Sequence, residues 1–177
     1  MRYELTKEKY LSEKELAELT RVLERFKDRD PRNCNLLFLA LHTGARASEI
    51  LNITRKDFDS DDGSVYIRSL KGGRDREIPI PRWLVKRLAG MPPNEDGRLF
   101  SINYCRFKQV WWLYRPAKKK LHSLRHTFAL NLYNRTKDLM IVKVALGHNS
   151  VATTMIYLDY HYTKNELRRA ILGGTNR

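Results

Sequence analysis

Between His122 and Tyr157 the chain reads HSLRHTFALNLYNRTKDLMIVKVALGHNSVATTMIY, and no other stretch restricts the fold so tightly. A helix is expected to start near His122. On it Leu124, Phe128, Leu132 and Tyr133 turn inward at helical spacing. His122, Arg125 and His126 share an adjacent face, because residues three and four apart on a helix are neighbours. An apolar helix over 139–146 follows, ended by Gly147. Ser150 then caps a helix running through Thr153, Ile156 and Tyr157. Whatever the rest of the chain does, it must accommodate two cationic donors, a second histidine in His148, and a phenol nine residues beyond it. Together these groups make a phosphate site with a nucleophile in reach.

A phosphate partner agrees with the charge. Lys and Arg number 34 against 20 Asp and Glu, giving a formal net charge of +14 and a pI near 10.0. Such an excess points to a polyanion, nucleic acid first and an anionic membrane surface second; charge alone also fits a merely soluble basic protein. The two cysteines, Cys34 and Cys105, are far apart and form no Cys-x-x-Cys pair. Neither a zinc ribbon nor a disulfide framework is expected, and a reducing cytoplasmic setting fits. The longest apolar run is too short to span a bilayer, and the N-terminus has no apolar signal core. With 177 residues, 42% of them hydrophobic, one domain with tails is expected.

Taken in order, residues 1–10 read as a loose lead-in. Ser12 and Glu15 form a capping box, and Leu16, Leu19, Val22, Leu23 and Phe26 follow at helical spacing. Asp30 as cap and Pro31 at the first helical position open a second, buried helix, which runs out at Thr43-Gly44. A short helix over 45–52 comes next. Its Arg46 and Glu49, taken alone, read as a surface ion pair three residues apart, but the tight glycine turn before the arginine is a place where a guanidinium can be held rigidly. Residues 57–81 change character. Asp61-Asp62-Gly63 signals a turn, 65–70 and 76–80 read as paired strands, and Lys71-Gly-Gly-Arg74 reads as a hairpin tip. Lys71 is there either as an ordinary solvated turn lysine or as a mobile cation reaching into a groove. Helices are expected over 83–88 and 101–114, the second with Phe107, Val110, Trp111 and Tyr114 as a core face. Lys118, Lys119 and Lys120 precede the central helix and are placed to grip a phosphate backbone. A last amphipathic piece covers 165–172. The expected class is mainly α with a small antiparallel β-sheet.

The residues now described resemble the catalytic domain of the tyrosine recombinases, the phage-integrase, Cre and Xer group. The matching blocks are Thr43-Gly-Ala-Arg46-Ala-Ser-Glu49, Lys71-Gly-Gly-Arg-Asp-Arg-Glu-Ile-Pro79, His122-Ser-Leu-Arg125-His-Thr-Phe-Ala129 and Leu146-Gly-His148 through Ile156-Tyr157. Leu11 to Leu16 is similar to the usual opening of that domain. Each block alone is weak; four in the family's order and spacing are specific. The resemblance covers residues 11–160 as catalytic domain and leaves 161–177 as a tail that either docks on a neighbouring protomer, as the tails of relatives do, or folds back or frays.

The resemblance implies a DNA breaking-rejoining enzyme, a site-specific recombinase or integrase. Arg46 and Arg125 would clamp the scissile phosphate, His122 and His148 would donate hydrogen bonds or shuttle protons, Lys71 would protonate the departing 5′ oxygen, and Tyr157 would attack. Glu49 would support the site, and Arg74 with the lysines at 118–120 would contact DNA. Duplex DNA is the implied partner, with a homo-oligomer of two to four copies assembled on it in the nucleoid. The chemistry fits on its own account. Cations offset the charge gathering on oxygen in the transition state, one preorganised donor contributing roughly 3 kcal/mol. Arginine suits a two-point grip. A phosphotyrosyl bond conserves the energy of the bond broken, so no metal, ATP or other cofactor is expected, and no phosphate-binding Gly-x-x-x-x-Gly-Lys loop is present.

Other readings of these residues stand beside it. His122 and His126 have a zinc-compatible spacing, but the glutamate of such a helix is missing and no third ligand is obvious. Tyr160 and Tyr162 are rival nucleophiles. A type IB topoisomerase or telomere resolvase would share the chemistry, and a catalytically silent DNA-binding regulator would share the fold. Full-length members of the family usually carry an N-terminal helical domain closing the other half of a clamp. Here about ten residues precede the catalytic block, so much of the expected grip on DNA is salt-dependent phosphate contact.

Overall fold

The computed structural model describes residues 5–70, 72–157, 168, 171 and 172. Helix α1 (Glu13–Phe26) begins at the expected capping box: the Glu15 amide donates to Ser12 Oγ at 3.3 Å and the Ser12 amide to Glu15 Oε2 at 2.7 Å. Its apolar spacing buries Leu19 and Leu23 completely. Helix α2 (Pro31–Thr43) is apolar nearly all round, so it lies in the middle of the molecule. It packs against α1, against α4 (Arg82–Ala89) and against α6 (Ser123–Thr136). Asp30 precedes it but does not cap it with its side chain. Its carboxylate instead accepts from Asn33 Nδ2 at 2.9 Å and from the Tyr114 hydroxyl at 2.7 Å, tying α5 (Tyr104–Tyr114) to the start of α2.

The expected strand pair is present and shorter. Strands β1 (Phe58–Asp59), β2 (Ser64–Ile67) and β3 (Arg76–Pro79) form one antiparallel sheet in the order β1-β2-β3, with Val65 opposite Ile78 and Ile67 opposite Arg76. The ladder stops at Ile67 because loop side chains take over the backbone. The Ser69 amide donates to Asp75 Oδ1 at 2.8 Å, and the Gly73 amide to Ser69 Oγ at 2.9 Å. Helix α3 is Ala47–Leu51. Helix α5 starts later than expected because Asn103 accepts from the Arg106 amide at 2.8 Å and sets its beginning. Helix α7 is Leu139–Leu146, and the segment after it is two 3₁₀ turns, Val151–Thr153 and Met155–Tyr157, not one helix.

Two hydrophobic clusters result. The larger joins α1 to α5 with the sheet; the smaller gathers Leu5, Ala129, Leu130, Tyr133, Val142, Leu146 and Tyr157. Before α1, Leu5 is buried and the carbonyls of Lys7 and Tyr10 accept from Lys119, while Thr6, Lys7 and Glu8 are exposed. Of the expected helical piece over 165–172 and the tail from 161 on, only residues 168, 171 and 172 are described, and Ile171 and Leu172 are exposed. Among the described residues no single helix is long and apolar enough to cross a membrane.

Candidate active site

The ends of α2, α6 and α7 meet, and the site lies where they do. Helix α2 stops at Gly44, whose φ of 59° suits glycine. A Cβ there would lie 2.3 Å from the Phe128 ring, so the turn is closed down onto α6. Arg46 follows at the N-cap of α3, and Glu49, one turn on, reaches back to it. The Arg46 amide donates to Glu49 Oε2 at 2.8 Å and its Nη1 to Oε1 at 3.0 Å. This is the ion pair that the spacing suggested, but it is not a surface pair: the Glu49 side chain is 1% exposed.

Two further arginines share that carboxylate. Arg76 Nη2 donates to Glu49 Oε2 at 2.8 Å, and Arg125 Nη1 stands 3.9 Å from the same oxygen. Burial alone would raise the Glu49 pKa, but the Arg76 bond, the Arg46 amide and the surrounding positive charge outweigh it and hold it below the usual range. Glu49 is thus the fixed anion on which the cations are arranged.

Arg125 is buried, and both of its terminal nitrogens have partners within the protein. Its Nη1 donates to the Gly44 carbonyl at 2.8 Å, and its Nη2 donates to the Leu146 carbonyl at 2.9 Å and lies 3.0 Å from His148 Nε2. The guanidinium therefore ties the end of α2 to the end of α7. Burial first, and then repulsion from Arg46, push its pKa down to about 10, so it stays charged at neutral pH. His148 follows Gly147, which ends α7 at φ 66°. Its Nδ1 lies 2.9 Å from Thr154 Oγ1. Burial, then the charges of Arg125 and Arg46, lower its pKa to about 4. His122 sits at the mouth, just before α6, more exposed than His126 beneath it, and burial with Arg125 and Arg46 also lowers its pKa.

Tyr157 is 1% exposed, and its hydroxyl lies 3.0 Å from His126 Nδ1. Arg46, His122, Arg125, His126, His148 and Tyr157 all line one cavity of about 740 Å³. The structure thus brings together five of the six residues expected in catalysis. The sixth, Lys71, lies outside the described residues, as do Tyr160 and Tyr162. The hairpin on either side of Lys71 is tied to the turn after α7: the Arg74 amide donates to the Gly147 carbonyl at 3.0 Å, and Asn149 Nδ2 donates to the Gly72 carbonyl.

The residues expected to contact DNA divide. Arg74, Lys118 and Lys120 are exposed. Lys119 differs from its neighbours. Its ammonium donates to the Lys7 carbonyl at 3.1 Å, to the Tyr10 carbonyl at 2.6 Å and to Glu15 Oε2 at 2.5 Å, so its charge is already compensated within the protein. Among the described residues no group of three or more His, Cys, Asp or Glu is placed to hold a metal ion.

Three site residues were missed in the sequence. Arg76 binds Glu49 and also donates from Nε to the Ala145 carbonyl at 2.8 Å, linking β3 to α3 and α7. Its parity with Ile78 and Ile80 was a usable signal, since it puts a charge on the inward face of a strand. The sequence offers His126 a role only as a metal ligand. Thr154 carries no pattern that marks it.

The chain is similar to known proteins in sequence and in fold. The phage integrase family model matches residues 9–93 and 112–164. The chain is 32% identical to tyrosine recombinase XerA of Pyrococcus furiosus over 92% of its own length and 60% of that protein's. It is 26% identical to the XerH site-specific recombinase in a pre-cleavage complex with its difH substrate, with a TM-score of 0.73, covering 99% of this chain and 56% of that one. Against the catalytic domain of bacteriophage HP1 integrase the identity is 26% and the TM-score 0.67, covering 93% of this chain and 94% of that one. The chain spans about three fifths of the length of the XerA proteins it matches.

Proposed function

The chain belongs to the phage integrase family, and from that premise we propose that it cuts and rejoins duplex DNA at specific sites through a 3′-phosphotyrosyl intermediate. One observation carries the reading: Arg46, His122, Arg125 and His148, supplied by separate parts of the chain, line the same cavity as the Tyr157 phenol. A catalytically silent binder has no need of that convergence.

Arg46 and Arg125 hold the non-bridging oxygens of the scissile phosphate, and the carboxylate of Glu49 keeps the two guanidinium groups in register. His122, at the mouth, donates to the phosphate. His148 holds Arg125 in place. The Tyr157 oxygen attacks phosphorus as its proton passes to solvent in the cavity; the bond to the 5′ oxygen breaks, and Lys71 protonates that oxygen. The products are a 3′-phosphotyrosyl bond and a free 5′ hydroxyl, and the reverse sequence rejoins a strand with no added energy source. Arg74, Lys118 and Lys120 extend the grip along the phosphate backbone. The active form is a homo-oligomer, dimer to tetramer, assembled on DNA in the cytoplasm and associated with the nucleoid.

The test uses nicked duplexes of randomised sequence, incubated with the protein and stopped in detergent. A covalent protein–DNA adduct is expected from the wild type and none from Tyr157→Phe, which still binds. Sequencing the attached strands identifies the site. An adduct surviving in Tyr157→Phe moves the nucleophile to Tyr160 or Tyr162, whereas tight binding with no adduct from either protein establishes the silent regulator.

A further inference from the structure

We infer that His126 is a positioning residue for the reaction: its Nδ1 accepts the Tyr157 hydroxyl proton in a hydrogen bond and so fixes where the phenol oxygen points. The inference deepens the function proposed above and rests on it, but the hydrogen bond itself can be examined without DNA.

The bland alternative is a histidine that merely fills space. His126 is buried, at 5% exposure, and lies one helical turn beyond His122, their rings edge to face at 4.7 Å between centroids. Three observations argue for more. The Tyr157 ring belongs to the smaller hydrophobic cluster, and the residue also lines the cavity that Arg46, His122, Arg125 and His148 share. A buried hydroxyl needs an acceptor, and Nδ1 stands 3.0 Å from it. The imidazole is neutral, since burial, then His122 and Arg125, with Lys9 and His148 further, push its pKa down to about 3. A neutral ring carries one proton; with that proton on Nε2, the Nδ1 lone pair is open to the phenol.

The consequence is geometric. Tyr157 sits on a three-residue 3₁₀ turn, which has little rigidity of its own. His126 is the residue after Arg125 on the fourteen-residue helix α6. Through His126 the nucleophile is therefore referenced to the same rigid element as the arginine that holds the phosphate. Because the phenol donates its proton to Nδ1, a lone pair of its oxygen is left to face the phosphorus. An error of about 1 Å at this point costs on the order of a hundredfold in rate.

Two measurements test this. In protein labelled with ¹⁵N-histidine, long-range proton–nitrogen spectra report which ring nitrogen is protonated, and loss of one set of signals in His126→Asn assigns that ring. His126 is expected as the Nε2–H form, with Nδ1 shifting in Tyr157→Phe. A protonated Nδ1, or no shift in Tyr157→Phe, overturns the inference. The second is single-turnover adduct formation. His126→Leu removes the acceptor, while His126→Asn puts a carboxamide oxygen near the place of Nδ1. The leucine variant is expected to slow attachment roughly 10–100-fold with duplex affinity within about twofold of wild type, and the asparagine variant to recover most of that loss. Attachment at the wild-type rate in His126→Leu, or equal losses in both variants, overturns it. Should the leucine variant not fold, the spectra of wild type and Tyr157→Phe still decide. A wild type that forms no adduct at all counts against the proposed function, and the spectra then decide His126 separately.

Discussion

Arg125 and His148 meet side by side, Nη2 to Nε2 at 3.0 Å. A guanidinium has no acceptor, so His148 Nε2 must accept. The ring proton therefore sits on Nδ1 and points at Thr154 Oγ1, 2.9 Å away. Arg125 thus sets the tautomer of His148, and Thr154, by accepting the Nδ1 proton, holds the ring against Arg125.

Replacing Thr154 by valine keeps the shape and removes the acceptor. We expect Thr154→Val to slow covalent attachment to nicked DNA about tenfold, with binding unchanged and stability lowered by about 1 kcal/mol. Urea unfolding and single-turnover attachment measure the two effects. An unchanged attachment rate would show that Nδ1 does not need Thr154.

Gly147 fixes the hairpin against α7. A Cβ at this position would lie 2.5 Å from the Arg74 carbonyl oxygen and 2.9 Å from Arg76 Nη1, on a residue with φ 66°. Backbone cannot yield as a flexible side chain does. Gly147→Ala is expected to cost about 2 kcal/mol and to displace the hairpin that carries Lys71. Attachment should slow on ordinary DNA and recover on DNA with sulfur as the 5′ leaving atom, because a thiolate departs without a proton. Equal slowing on both substrates would count against displacement of the acid.

Much of this was legible in the chain because it is local. The Ser12–Glu15 box, the glycine stops at Gly44 and Gly147, and the helical spacing of Leu19 and Leu23 each depend on residues a few positions apart. The site residues were legible through the four blocks that resemble a known family. What escaped was pairing across the fold. Arg76 meets Glu49 from 27 positions away, and Tyr157 meets His126 from 31. Strand β1 is only two residues long and carries no periodicity to detect.

Lys119 shows the same limit in the other direction. Within a run of three lysines its neighbours suggest one role for all, yet its ammonium is bound by Glu15 from 104 positions away. Lys119→Ala should therefore lower stability and leave the salt dependence of DNA binding nearly unchanged. Replacing Lys118 and Lys120 together by alanine should do the opposite, each lost phosphate contact reducing the slope of log K against log salt by about 0.9. Thermal melts and binding at several salt concentrations separate the two, and a reduced slope in Lys119→Ala would return that residue to the DNA interface.

Acid should weaken the fold before it protonates the carboxylates. His126 and His148 titrate near 6.5 when unfolded, but burial lowers them to about 3 and about 4 in the folded protein, and His42 and His122 are lowered as well. The unfolded chain therefore binds more protons below pH 6.5, which favours unfolding. This stability is complete above pH 6.5 and is lost as the pH falls toward the folded-state values. A deeply buried ring contributes a slope of up to about 1.4 kcal/mol per pH unit, and less where water screens it. Glu49 has the same sign but a lower window, since its pKa is depressed from 4.5 and its loss begins only below that. Urea unfolding between pH 7 and pH 5 isolates the histidines. Stability is expected to fall steadily over that range, and His148→Gln should flatten the slope. A wild type equally stable at pH 7 and pH 5 would mean that these rings take up protons as readily in the folded protein as in the unfolded chain, and that burial does not depress them.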